Sequence, residues 1–279
     1  MALSNTIPGT ENLIGDERYF SIGGKSFNSR LMLGTGKYES ADIAMQSIEA
    51  ASPSMVTVAI RRLQNVGTTK KYSLLKTLPW HSLFLLPNTA GCTTAEEAIR
   101  IASLGHEICK KLGQEGNKFV KLEVIPDPHH LFPDPFGTLK AAEYLINKNY
   151  VVLPYIYPDP VLAKQLEEIG CATVMPLGSP IGSGQGLQNL ENIQIIIDNA
   201  SIPVVVDAGI GTASDAVKAM EIGASAVLVN SAIAQAKLPN LMAKSISLGV
   251  KSGRYAYFAR RMRKANYAMP SSPIFGLPV

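Results

Sequence analysis

The sequence predicts a single α/β domain, a closed (β/α)8 TIM barrel with a short N-terminal β-hairpin plug. Three observations predict it. From about residue 31 onward, eight short runs of apolar and branched residues alternate with longer segments of helical spacing. Those runs are apolar throughout, as strands of a parallel sheet covered on both faces must be. The chain is 279 residues long, and barrels of this kind use about 250 as one domain. An open doubly wound sheet is the weaker alternative, because no glycine-rich dinucleotide turn follows the first run.

The hairpin comes first. In segment 19–27 (YFSIGGKSF), Gly23 and Gly24 separate two short apolar stretches, the pair a tight two-residue turn needs. Its expected place is the bottom of the barrel. The strands then fall at 30–33 (RLML), 55–60 (MVTVAI), 83–87 (LFLLP), 119–125 (FVKLEVI), 150–156 (YVVLPYI), 172–176 (ATVMP), 203–207 (PVVVD) and 226–230 (AVLVN). Helices are expected at 41–51, 94–112, 138–147, 160–169, 190–199 and 213–222, with a weaker one at 71–78. The expected organisation is a loosely ordered start over 1–17, the barrel with its hairpin over 18–252, and a basic tail over 253–279.

Composition narrows the function. At 46% hydrophobic and 17% charged residues, disorder, collagen and coiled coil are unlike this chain. A net charge of +4 is too mild for a nucleic-acid binder. Much of it sits in RYAYFARRMRKANYA (254–268), which carries Arg254, Arg260, Arg261, Arg263 and Lys264 and no acid. That segment reads as a solvated terminal helix or as a surface for an acidic partner. Cys92, Cys109 and Cys171 are far apart and odd in number, so a reducing compartment is expected rather than disulfides or a zinc site. No run approaches the roughly 20 apolar residues of a membrane span. The first 17 residues lack both a secretory pattern and the arginines of a transit peptide. The expected location is a bacterial cytoplasm or, if the chain is organelle-encoded, the plastid stroma.

The fourth strand carries the chemistry. Side chains alternate in a strand, so Val120, Leu122 and Val124 share the helix-facing side. Lys121, Glu123 and Ile125 then point into the barrel. Burial disfavours a charged amine, so Lys121 is expected to neutralise and to attack carbonyls, giving a Schiff base. Glu123 could move the protons. An internal Lys–Glu ion pair that merely fills the barrel is the other reading. Asp207 ends the seventh strand, where barrel enzymes place catalytic groups; it also reads as a turn-capping residue. After it, Gly209 and Gly211 admit close approach of a ligand, and Thr212 with Asp215 makes a capping-box start whose amides suit phosphate. Asn230 and Ser231 end the eighth strand. The two turns agree on a phosphorylated substrate, because loops after strands seven and eight are the usual phosphate grip of this fold.

Weaker candidates surround these. The loop LGSPIGSGQG (177–186) reads as a mobile lid, a loop approached by substrate or a flexible connection. His129-His130, flanked by Asp127 and Asp134, reads as a solvated loop before a metal site. Arg61-Arg62 could meet anions or cap a strand end. Cys92 has no evident partner histidine. Neither metal nor cofactor is called for. An aldolase-like Schiff-base barrel and a non-catalytic phosphate-binding barrel stay open on the residues alone.

The segments VTVAIRR (56–62), LPNTAGCTTAEEA (86–98), VKLEVIPDP (120–128), PLGSPIGSGQGL (176–187) and VVDAGIG (205–211) resemble thiazole synthase of thiamine biosynthesis. The likeness runs from about residue 17 to 250. It implies a (β/α)8 barrel that builds thiazole phosphate from 1-deoxy-D-xylulose 5-phosphate, dehydroglycine and sulfur from a small carrier protein with a C-terminal thiocarboxylate. By the resemblance, Lys121 is the Schiff-base lysine and Glu123 and Asp207 are the acid/base carboxylates. Gly182, the Ala208-Gly209 pair and the Asn230-Ser231 pair would contact the sugar phosphate. The family often has threonine where Ser231 stands, and nothing carries over onto the basic tail. It further implies a homo-oligomer associated with the sulfur carrier; charge and hydropathy give no reason to expect a nucleic-acid or membrane partner.

Overall fold

The computed structural model describes residues 20–61 and 77–272. The start over 1–17, most of the weak helix at 71–78, and Arg62 lie outside the described residues. Strands β1 (Phe20–Ile22) and β2 (Lys25–Phe27) pair antiparallel across Gly23 and Gly24. Both glycines have positive φ, 54° and 78°, the paired left-handed geometry of a type I′ turn.

Eight parallel strands follow: β3 (Leu31–Gly34), β4 (Met55–Ala59), β5 (Phe84–Asn88), β6 (Phe119–Leu122), β7 (Val151–Ile156), β8 (Met175–Pro176), β9 (Val205–Asp207) and β10 (Ala226–Val229). They are hydrogen-bonded in the order β8-β7-β6-β5-β4-β3-β10-β9. Bridges Val174–Val204 and Leu177–Asp207 join the two ends. There the Val205 amide donates to the Val174 carbonyl at 3.0 Å and the Gly178 amide to the Asp207 carbonyl at 3.0 Å. Closure leaves the eight-stranded sheet without an edge strand, and the fold is the (β/α)8 barrel that the alternation predicts.

The helices are α1 (Ala41–Ala51), α2 (Ala95–Lys111), α3 (Pro135–Asn147), α4 (Pro160–Glu168), α5 (Leu190–Asn199), α6 (Ala213–Glu221), α7 (Ser231–Ala234) and α8 (Pro239–Ala259). Polar caps set several starts: Ser40, Thr94, Asp134 and Asp159 each accept from an amide in the first turn. Asp134 and Pro135 start α3 three residues before the position that apolar spacing suggests, because a proline at the first turn gives up no needed amide.

Strand β6 stops at Leu122 instead of running to 125. The Glu123 amide leaves the ladder and donates to Thr89 Oγ1 at 2.7 Å. At the other end of the chain, α8 runs through the boundary expected at 252. Gly253 has no side chain where the Val217 carbonyl of α6 would lie 2.5 Å from a Cβ. The two helices therefore touch backbone to backbone and α8 continues to Ala259. Arg260–Lys264 follow as an exposed, non-helical segment, so the expected terminal helix covers only the start of the basic run.

The barrel interior has a hydrophobic bottom. Phe20, Ile22 and Phe27 from the hairpin pack against Met32, Met55, Phe119 and other inward side chains. Phe27 meets Phe84 and Phe119 edge-on at centroid distances of 5.4 and 6.2 Å. The hairpin is thus a plug, and Lys121, Glu123 and Asp207 lie above it, beyond Phe119 and Val205 of the bottom cluster. Val120, Leu122 and Val124 face outward into the helical layer, which leaves Lys121 and Glu123 facing in.

Candidate active site

Lys121 and Glu123 on and just after β6, and Asp207 at the end of β9, are 4%, 4% and 3% exposed. Lys121 Nζ lies 2.5 Å from Asp207 Oδ2 and 3.1 Å from Glu123 Oε1. Glu123 is fixed from β5. Asn88 Nδ2 donates to Glu123 Oε1 at 2.9 Å, and Thr89 Oγ1 donates to the Glu123 carbonyl at 2.8 Å while accepting its amide. Asn88 Oδ1 in turn accepts from the Ala90 amide at 2.8 Å. The cluster forms the floor of a cavity of about 1100 Å³ at the C-terminal mouth of the barrel, where this fold puts its chemistry.

The charges differ from expectation at Lys121. Burial alone would push the ammonium toward neutrality, but Asp207 and then Glu123 outweigh it and hold Lys121 above its ordinary range. The two carboxylates therefore favour the charged ammonium over the neutral amine expected from burial. Burial raises Asp207 above the usual carboxylate range, with the Glu123 charge adding to it against the pull of Lys121 and the Ala208 amide. Two carboxylates and one ammonium in a dry site carry a net negative charge. A proton is held there readily.

The cavity's far wall is built from the turns after β3, β8, β9 and β10. Ala208 takes a positive φ of 63° and Gly209 one of 79°. A Cβ on Gly209 would lie 2.1 Å from Ser179 Oγ, so the β9 turn rests directly on the β8 loop. The Gly186 amide donates to the Gly209 carbonyl at 2.8 Å. Gly182 and Ser231 come together here, and Lys37 joins them: a Cβ built on Gly182 would be 2.9 Å from Lys37 Nζ and 3.7 Å from Ser231 Oγ. Asn230, with its amide oriented to donate, reaches the Gly36 and Gly34 carbonyls at 2.9 and 3.2 Å. It pins the β3 turn beside the cavity.

The capping box of Thr212 and Asp215 forms. Asp215 Oδ2 accepts from the Gly211 and Thr212 amides at 2.9 and 3.2 Å. Arg61 donates to the Gly91 carbonyl and pairs with Glu97 at 3.3 Å, tying two mouth loops together. Cys92 is buried, and burial pushes its thiol up to about 11, the wrong direction for a nucleophile. Asp127 holds His130 at 2.9 Å in the open while Asp134 is spent on its helix cap, so that loop gathers no ligand set.

Residues 21–273 match the family model described as thiazole biosynthesis protein ThiG. A thiazole synthase of Porphyra purpurea is 64% identical over 92% of this chain and 93% of its own. The chain belongs to the thiazole synthase family. Another thiazole synthase, from Trichodesmium erythraeum, is 59% identical over 93% of each chain. Among solved structures, the Amycolatopsis orientalis BexX/CysO complex matches at a TM-score of 0.79 and 32% identity, over 90% of this chain and all of that one. A thiamine phosphate pyrophosphorylase of Pyrococcus furiosus, at 14% identity and a TM-score of 0.52, shares the barrel alone. As a thiazole synthase, the protein is an enzyme of thiamine biosynthesis that forms thiazole by sulfur transfer; the sugar phosphate, dehydroglycine and carrier-borne sulfur are the family's substrates.

Two residues near the site, Lys37 and Tyr155, escaped the sequence reading, and Asn88, named there only within the segment after the third strand, was given no role. Its pairing with Lys121 across β5 and β6 sets it beside Glu123. Lys37, in the turn after β3, lacked a signal, because its reach to Gly182 depends on closure of the barrel. Tyr155 sits two residues from Leu153 on the inward face of β7, a parity that the apolar run YVVLPYI conceals.

Proposed function

We propose that Lys121 carries the thiazole-forming reaction by Schiff-base chemistry on the ketone of 1-deoxy-D-xylulose 5-phosphate. The observation that carries this reading is the buried Lys121 ammonium held between Asp207 and Glu123 under an open cavity. Substrate binding displaces the balance of that cluster, and a carboxylate takes the proton that Lys121 must lose. The free amine attacks the carbonyl, water departs, and the imine acidifies the neighbouring carbon. Asp207 and Glu123 share the proton transfers that move the carbonyl along the sugar chain. The sulfur of a carrier thiocarboxylate then adds to the relocated carbonyl, the acyl–sulfur bond breaks as the acyl group passes to oxygen, the carrier leaves as its carboxylate, and dehydroglycine closes the ring with loss of water.

Gly182, Ala208, Gly209, Asn230 and Ser231 hold the phosphate end in this reading, with Lys37 as the cation facing it. Ser231 keeps the hydroxyl of the family's usual threonine. The related BexX is held in a complex with CysO, which supports a small sulfur-carrier protein as this chain's partner. Homo-oligomers are part of the same proposal. Leu241, Leu248 and Tyr255, exposed at seven-residue intervals along α8, are the apolar face an assembly would cover. Three buried free cysteines and relatives in algae and bacteria fit a reducing plastid stroma or bacterial cytoplasm.

Borohydride reduction after incubation with deoxyxylulose phosphate tests the assignment. A stable adduct on Lys121, absent from Lys121→Ala, is expected. An adduct on another lysine, or an undiminished one in the variant, overturns it.

A further inference from the structure

Two consecutive residues at the end of β5 hold Glu123 by its backbone and by its carboxylate. Thr89 takes the backbone: its hydroxyl accepts the Glu123 amide at 2.7 Å and donates to the Glu123 carbonyl at 2.8 Å. Asn88 takes the carboxylate, with Nδ2 donating to Oε1 at 2.9 Å. The Asn88 amide is not free to turn over, because its Oδ1 accepts from the Ala90 amide at 2.8 Å and only Nδ2 can then face Glu123. Asn88 is buried, pairs with Lys121 across β5 and β6, and lines the same cavity as Lys121 and Glu123. Glu123 Oε1 thus meets two donors, Asn88 Nδ2 and, at 3.1 Å, Lys121 Nζ. Asp207 is held differently. Its Oδ2 lies nearer the lysine, at 2.5 Å, and has no hydrogen-bond partner besides that ion pair among the described residues.

Resting on the Schiff-base reading of Lys121, we propose that Asn88 is a positioning residue. It aims Glu123 as the base that takes the proton from the hydroxyl-bearing carbon beside the imine, while Asp207 serves the lysine nitrogen. In that step the carbon–hydrogen bond breaks and its proton goes to Glu123 Oε2, since Oε1 already accepts from Asn88 and Lys121. The electron pair left behind forms a double bond to the imine carbon, and the C=N π pair moves onto nitrogen and neutralises the iminium. No oxidant or further reactant takes part. Placement matters most at this step because a C–H group hydrogen-bonds only weakly. Unlike an ammonium or a hydroxyl, it cannot draw its base into line, so the protein must hold the base there.

Deoxyxylulose phosphate carrying deuterium on that carbon separates the two steps. The protein is mixed with it in ordinary water and borohydride is added at timed intervals. The mass of the Lys121 peptide then reports both the yield of adduct and the deuterium each adduct retains, and unfolded molecules contribute to neither. In Asn88→Ala the adduct should form at the parent rate, while deuterium leaves it about 100-fold more slowly, the scale of a small misplacement. Asn88→Leu, which keeps the volume without the donor, should behave alike. Deuterium loss at the parent rate overturns the proposal, as does equal slowing of adduct formation and deuterium loss. Failure of both variants to fold overturns it too, since the amide would then be structural. If the parent protein itself gives no adduct at Lys121, the Schiff-base reading fails instead, and that control tells the two failures apart.

Discussion

Lys121 Nζ and Asp207 Oδ2 meet at 2.5 Å inside the closed barrel, from strands that do not neighbour each other. Breaking such a pair from one side strands the other charge. Lys121→Met should lower stability at pH 8 by about 3–5 kcal/mol, beyond abolishing substrate capture. The penalty has a pH signature. Asp207 is already raised by burial, and removing the lysine raises it further. A folded-state pKa above the unfolded value of about 4 makes stability greatest in acid and erodes it as pH climbs. Thermal melts of Lys121→Met should approach the parent near pH 4 and fall behind above it, and adding Asp207→Asn should flatten the curve.

Asp207 is also the larger of the two charges that raise Lys121. In Asp207→Asn the lysine keeps Glu123 alone, and its pKa comes down toward what burial would impose. A less raised amine is neutral at lower pH, so the midpoint of Lys121 trapping against pH should move to the acid side by about one unit. Turnover should still drop, because one of the two proton carriers is gone. A midpoint that moves to alkaline pH would show that Asp207 does not hold the ammonium.

Barrel, plug and inward lysine were all legible because strand parity and apolar runs are local properties. Lys121 and Glu123 could be assigned to one face from FVKLEVI alone. The charge state of Lys121 could not, since it depends on Asp207, 86 positions away in sequence and brought near only by closure. The same limit hid Lys37 and Tyr155. The Asp215 carboxylate shows a mixed case: the capping box was readable, but not that the carboxylate also takes the amide at 211.

Two glycines with nearly the same φ separate conformational cost from contact cost. Gly24 (φ 78°) has open space around an added Cβ, whereas Gly209 (φ 79°) would press one to 2.1 Å from Ser179 Oγ and 2.4 Å from its amide nitrogen. Gly24→Ala should cost about 1–2 kcal/mol, the left-handed penalty alone. Gly209→Ala must also push the β9 turn off the β8 loop, and should weaken phosphate binding as well as melting temperature. Calorimetric melts of both variants, with and without inorganic phosphate, check the contrast.

The plug and the chemistry occupy opposite ends of the barrel. Phe27→Ala deletes a ring packed edge-on against Phe84 and Phe119, and should cost about 3–5 kcal/mol in urea unfolding. The fraction that remains folded should trap deoxyxylulose phosphate on Lys121 at the parent rate. A change in the intrinsic trapping rate would mean that the floor of the cavity is not insulated from the hairpin.

Lys37 supplies the final prediction. Its ammonium stands at the meeting point of Gly182 and Ser231, and it is exposed at the wall of the same cavity that Lys121 lines. A cation there has no part in making the imine, but it faces a dianionic phosphate group through only partly screened space. Lys37→Ala should therefore raise the KM for deoxyxylulose phosphate by about tenfold, one charge-assisted contact, and leave the trapping rate at saturation unchanged. Added salt should weaken binding in the parent more than in the variant. Equal losses in KM and in saturated rate would place Lys37 in the chemistry, and no loss in either would remove it from the phosphate site.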